Sequence, residues 1–246
     1  MTSRLRANPL RRPAPRREVG SLAVSGQALP LRMRKSRRAR YLSLRLDPVE
    51  DAVELVLPWG VSLREGLRFA ASKSAWLRSQ LDGRPPRVPF APGARIPYLG
   101  VEHEIVHAPK ARATVFCEPG RLLVGGGAEF VPRRVRDWLK REAARVLAER
   151  ALATAARVGR RVRRVRLRDP KSRWGSCAPD GGLSFSWRLV LAPDFVLDYV
   201  VAHEVAHLVH ANHGKRFWHL VAELVGDVES PRAWLRRNGA GLLRYG

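Results

Sequence analysis

The chain has 246 residues, 45% of them apolar, and a formal net charge of +24. This length suits one or two domains with an ample core, and no uncharged apolar run approaches the roughly 18 residues of a membrane-spanning helix. Two cysteines, Cys117 and Cys177, make no disulfide framework. The Arg- and Pro-rich start lacks the apolar segment of a secretory signal, so a cytoplasmic protein without a membrane partner is expected.

The charge is uneven. Residues 1–40 carry twelve basic and one acidic side chain, residues 157–173 nine and one, and residues 174–246 seven of each. Such segments are expected to attract nucleic acid electrostatically, without sequence specificity. No helix-turn-helix, zinc-finger or RNA-binding signature accompanies them.

In chain order, residues 1–25 read as a disordered basic tail, with Pro9, Pro13 and Pro15 among arginines and little to bury. Tyr41 to Leu46 and Ala52 to Leu57 read as strands, the second ended by Pro58-Trp59-Gly60. Ser62-Leu63-Arg64-Glu65 is a capping box opening one helix through Leu81, closed by Gly83 and Pro85. Short strands follow at Ile96–Leu99, Glu102–His107, Thr114–Cys117 and Leu122–Val124, and Gly125-Gly126-Gly127 reads as a loop. Pro132 starts a long helix that Gly159 stops. Val162 to Arg168 alternates Val165 and Leu167 with Arg164, Arg166 and Arg168, an edge-strand pattern. Leu183 to Leu191 reads as another strand. The expected divisions are 1–25, a β-rich region 26–130 with one helix, and a catalytic region 131–246.

Five of the seven histidines lie between His203 and His219, and His203-Glu204-Val205-Ala206-His207 has the H-E-x-x-H form. On a helix, residues four apart are neighbours, with Cβ atoms about 5–6 Å apart, so His203 and His207 can close on one zinc ion. Glu204 then faces the open coordination position and can take a proton from the activated water. The same form occurs at His103-Glu104-Ile105-Val106-His107. There Val101, His103, Ile105 and His107 alternate between Gly100 and Pro109, as in a strand. Strand positions four apart are about 13 Å distant and share no ion. The later copy follows Pro193 and Asp194, a helix start, and runs through Phe195 to Val209 without Gly or Pro. It is apolar nearly all round, as for a buried helix, where imidazoles and a carboxylate need partners or metal.

A third ligand has three candidates. His213 stands ten residues after His203, and Asn212 and Gly214 beside it tolerate left-handed backbone that would turn the chain back. His210 lies three residues after His207 on the same face, and Glu223 is a downstream carboxylate of a type used in zinc hydrolases. Phe217 and Trp218 are expected to anchor the turn in the core.

Ser172-Arg173-Trp174-Gly175-Ser176-Cys177, Trp187-Arg188-Leu189, Tyr199 to His207, Asn212-His213 and Phe217-Trp218 occur in one order. Together they resemble the YgjP-like metallopeptidase family, which is related to WLM and SprT-type zincins; the likeness covers roughly residues 28–225. It implies an α+β, small zincin-like fold with a mixed or antiparallel sheet, an active-site helix carrying the motif and a long helix before it. It also implies His203, His207 and His213 as ligands and Glu204 as the catalytic residue. Gly214 and Ser186 depart from the family's usual Ser and Asn.

The leading expectation is a zinc (Zn2+) metallopeptidase acting on a peptide or protein substrate. One alternative is a metal-dependent hydrolase of nucleotide phosphoanhydrides, with arginines of 157–173 neutralising phosphate. The other is a nucleic-acid-associated module with structural zinc, which would need four protein ligands.

Overall fold

The computed structural model describes residues 17–24 and 26–246, which divide into two compact units between Arg84 and Pro85. The first unit contains β1 (Arg17–Val24), β2 (Gln27–Ser36), β3 (Ser43–Leu46), β4 (Val53–Pro58), α1 (Leu63–Ser72) and α2 (Ser74–Asp82). Its sheet has the order β1-β2-β4-β3, with β2 and β4 parallel and the outer pairs antiparallel. Alternate residues Leu29 and Leu31 of β2 and Val53, Leu55 and Leu57 of β4 form the core with Leu77 of α2, following the two-residue period of strands.

The expected disorder of 1–25 is corrected over 17–24. Those residues form β1, because Val24 is buried and Val19 and Leu22 pack on the same core. Gly26, at φ 78°, makes the tight connection to β2 that a side chain would strain. The prolines and arginines of 1–16 lie outside the described residues.

The capping box forms as expected: Glu65 N–H donates to Ser62 Oγ at 3.2 Å and Ser62 N–H to the Glu65 carboxylate at 2.9 Å. The single helix expected through Leu81 is instead two. Ser72 Oγ donates to the Phe69 carbonyl at 2.8 Å, and Lys73 N–H bonds back to Ala70. The hydroxyl takes the acceptor that the next helical N–H would use, and the helix breaks there.

The second unit begins with β5 (Arg95–Tyr98), β6 (Val101–His107), β7 (Val115–Glu118) and β8 (Arg121–Val124), followed by α3 (Val131–Arg157). It continues with β9 (Arg164–Arg168), β10 (Gly175–Cys177), β11 (Gly182–Ser186), a 3-10 helix Trp187–Leu191, α4 (Asp194–Ala206), α5 (Lys215–Val225) and α6 (Glu229–Leu242). Two mixed sheets result, β5-β6-β8-β7 and β10-β11-β9, and the architecture is α+β. The expected boundary at residue 130 moves to 84 because Ile96, Ile105, Leu122 and Val124 share one core with Val131, Val135 and Leu139 of α3. That helix buries Val135, Leu139, Ala143, Val146, Leu147 and Ala151, a stripe at helical spacing.

The strand expected over Leu183 to Leu191 stops at Ser186, whose Oγ accepts the Arg188 N–H at 3.3 Å and opens the 3-10 turn. The turn sends Arg188 inward, 3% exposed. Its Nε donates to Asp169 Oδ1 at 2.8 Å and its Nη1 to the carbonyls of Leu242 at 3.1 Å and Tyr245 at 2.8 Å. One guanidinium thus ties the end of α6 to the segment after β9. Replacing it leaves buried acceptors unpaired, at about 1–3 kcal/mol each. Arg188→Met is expected to lose about 3 kcal/mol, lowering Tm by roughly 5–10 °C by calorimetry, and Arg188→Lys to recover only part of this, since an ammonium lacks the planar fork. An unchanged Tm in Arg188→Met would refute this role.

Candidate metal centre

Helix α4 is held at its start by Arg150 of α3, which reaches Asp194 at 2.6 Å and Asp198 at 2.7 Å. Along it Val196, Leu197, Val200, Val201, Val205 and Ala206 are buried, leaving its last turn to carry His203 and Glu204. The helix, expected through Val209, ends at Ala206. The N–H groups of Leu208 and Val209 bond three residues back, at 2.9 and 3.1 Å, the tightened last turn common at helix ends. His207 Nδ1 is 3.1 Å from the His210 carbonyl oxygen, so the backbone of the turn orients that imidazole.

The chain then doubles back to α5. It uses no left-handed residue at Asn212 or Gly214, contrary to expectation; Gly214 has φ −76°, and its N–H bonds the Asn212 carbonyl at 2.9 Å. This brings His213 beside the helix, with its Nε2 3.1 Å from that of His203. Ligand atoms of His203, His207 and His213 all lie within 4.8 Å of one another, the one such group among the described residues. Fully buried Phe217 packs under them, its ring 5.0, 4.6 and 4.7 Å from those of His203, His207 and His213. Trp218 lies 5.7 Å from the rings of both His203 and His213.

Neither rival third ligand joins the cluster. His210 lines a separate cleft with Arg216 and His219, and Glu223 pairs with His219 at 3.2 Å. The earlier H-E-x-x-H copy lies on β6, where His103 Nδ1 is 2.8 Å from the Val101 oxygen and His107 Nε2 2.6 Å from that of Gly126.

The three imidazoles fit a divalent ion. Burial, then the neighbouring His207 and His213 and the charge of Arg232, lower the pKa of His203 to about 4, and burial lowers that of His207. Both are therefore neutral near pH 7, with lone pairs available. A separation of 3.1 Å between two ring nitrogens suits ligands of one ion at roughly 2.0–2.1 Å from each.

Glu204 is 6% exposed. Burial pushes its carboxyl up to about 7, while the charge of Arg173 and a hydrogen bond from the Cys177 amide pull it down. It lies against Gly175, where a Cβ would stand 2.5 Å from its Oε1. Gly175, Ser176 and Cys177 of β10 and the histidines line an open cleft of about 470 Å³. No strand is expected over β10 from its sequence, whereas Val162 to Arg168, which contains β9, is the expected edge strand. Both are edges of their sheet, but β10 walls the cleft. A glycine at the start of a short strand marks close approach of another group, and Gly175 carries that signal.

The family model described as YgjP-like, metallopeptidase domain, matches residues 40–238. No curated protein and no solved structure matches the chain.

Gly175→Ala is expected to destabilise the protein by about 1–3 kcal/mol in urea unfolding, the usual scale for overpacking. Combining it with Glu204→Ala, which removes the obstructing atoms, should recover most of that loss as a coupling of about 1 kcal/mol or more. Additive effects would show that the two residues do not press on one another.

Proposed function

Because this chain belongs to the YgjP-like metallopeptidase family, we propose that it hydrolyses peptide bonds with a zinc ion held by His203, His207 and His213 and with Glu204 as general base. The observation that carries this reading is the convergence of three imidazoles and one buried carboxylate on a cleft bordered by a strand edge. When bound, the ion supplies a Lewis acid for the scissile carbonyl and acidifies the attacking water.

The chain's own groups do the rest. Glu204, in its apolar surroundings, takes the proton of the attacking water and passes it to the leaving amine. The Cys177 amide and Gly175 hold that carboxylate in one position. Substrate is held by β10. The Trp174 carbonyl accepts from Ser186 N–H and Ala178 N–H donates to the Gly182 carbonyl, both at 2.8 Å. By the alternation of an antiparallel ladder, Gly175 and Cys177 turn their backbone groups away from β11. The Cys177 N–H meets Glu204, and the remaining groups are free to pair with an extended peptide.

Glu204→Gln is expected to retain zinc while peptide turnover falls about 10²–10⁴-fold, read by metal analysis and a peptide-library cleavage assay. Wild-type rates in that variant would end the assignment. Among the ligands, His213→Ala should lose the metal, whereas His210→Gln and Glu223→Gln should keep it. Zinc retained in His213→Ala but lost in either of the others contradicts the scheme. Phosphate release from nucleoside triphosphates, abolished by His203→Ala and without peptide cleavage, would move the chemistry to phosphoanhydrides.

A further inference from the structure

The first unit presents a rim of arginine and aromatic side chains. Strands β2 and β4 run parallel and finish together, Ser36 beside Pro58, while β3 begins with Ser43 opposite Val56. The β2–β3 loop and the turn after β4 therefore emerge at one end of the sheet. They carry Arg37, Arg38, Arg40, Tyr41 and Trp59, all exposed, with Tyr41 at 82% and Trp59 at 60%. Each connection carries a hydrogen bond of its own: Ala39 N–H donates to Ser36 Oγ at 3.3 Å, and Val61 N–H to the Pro58 carbonyl at 3.2 Å. The Arg37 guanidinium carbon lies 4.6 Å from the Trp59 ring centroid, which joins the two connections and covers one face of the indole.

Single exposed aromatics are ordinary; their setting here is not. Arg37, Arg38 and Arg40 have no carboxylate partner among the described residues. Glu65, in the first turn of α1, is engaged by the Ser62 N–H and hydroxyl. Asp47, Glu50 and Asp51 lie in the β3–β4 connection at the opposite end of the sheet. Three cations within four residues repel one another, and an anionic partner relieves that repulsion. The other basic segment, 157–173, differs. Arg163 and Arg164 pair with Asp180 at 3.1 and 2.8 Å, Arg157 donates to the Leu224 carbonyl at 3.0 Å, and the segment contains no aromatic residue.

We infer that this rim binds single-stranded nucleic acid, with bases stacked on Trp59 and Tyr41 and phosphates met by Arg37, Arg38 and Arg40. Guanidinium forks match phosphate oxygens, and aromatic faces accept unstacked bases, which a duplex does not offer.

The test uses the full chain and a fluorescein-labelled oligo(dT) of about 15 nucleotides, followed by anisotropy as salt is varied. Saturable binding is expected, weakened about 10-fold by Trp59→Ala and again by Tyr41→Ala, the effect of losing one stacked base. Arg38→Gln with Arg40→Gln should lower the slope of log affinity against log salt by about 1.4, two phosphate contacts on a single strand. Arg166→Gln with Arg168→Gln on β9 should change nothing. Melting curves matching wild type confirm that the exposed-site variants are folded. The inference is overturned by binding that persists in Trp59→Ala and disappears in the β9 pair, by tighter binding to a duplex of equal length, or by binding to phosphatidylserine vesicles without any to the oligonucleotide.

Discussion

A carboxylate and an imidazole placed in the last turn of an apolar helix are costly to bury unless other groups meet them. The second unit is organised around that requirement. Glu204 is met by the Cys177 amide and by the gap left at Gly175. His203 is met by His213 across 3.1 Å and by the ring of Phe217. Burial keeps His203 and His207 neutral and the Glu204 carboxyl within reach of its proton at neutral pH, which are the states that metal ligation and proton transfer need.

The scaffold holds this arrangement from both ends of α4. Arg150 grips Asp194 and Asp198 at its start, and the tightened turn after Ala206 orients His207 through the His210 carbonyl. Further along, Arg188 joins the end of α6 to Asp169, and Gly239 of α6 packs on Trp174, immediately before β10. The wall of the cleft and the helix carrying its polar groups are thus parts of one core. Of the two departures from the family pattern, Ser186 caps the Arg188 turn. Gly214 begins α5 without a side-chain cap, a choice worth only a few tenths of a kcal/mol against Ser.

The two H-E-x-x-H copies show how much setting matters. Their spacing is identical, yet His103 and His107 stand along β6 and bond to backbone carbonyls, while His203 and His207 have ring centroids 5.2 Å apart. Flanking Gly and Pro, together with the period of the apolar residues, separate the strand from the helix within the sequence itself.

What the sequence determined by itself is what short-range physics controls: the capping box at Ser62, the long amphipathic α3, the apolar helix bearing His203 and Glu204, and the strand at β6. Each depends on neighbours within a few positions, where propensity and periodicity act. Tertiary structure decided the rest. Whether His213, His210 or Glu223 approaches His203 depends on the path of the chain after Ala206, which three backbone hydrogen bonds and the packing of Phe217 set. The place of β10 beside Glu204 depends on pairing with β11 and on a contact between residues 29 positions apart in the chain. The division at residue 84 rather than 130, and the strand at 17–24, likewise follow from which apolar faces find each other. Local sequence carries the need for burial but not the identity of the surface that satisfies it.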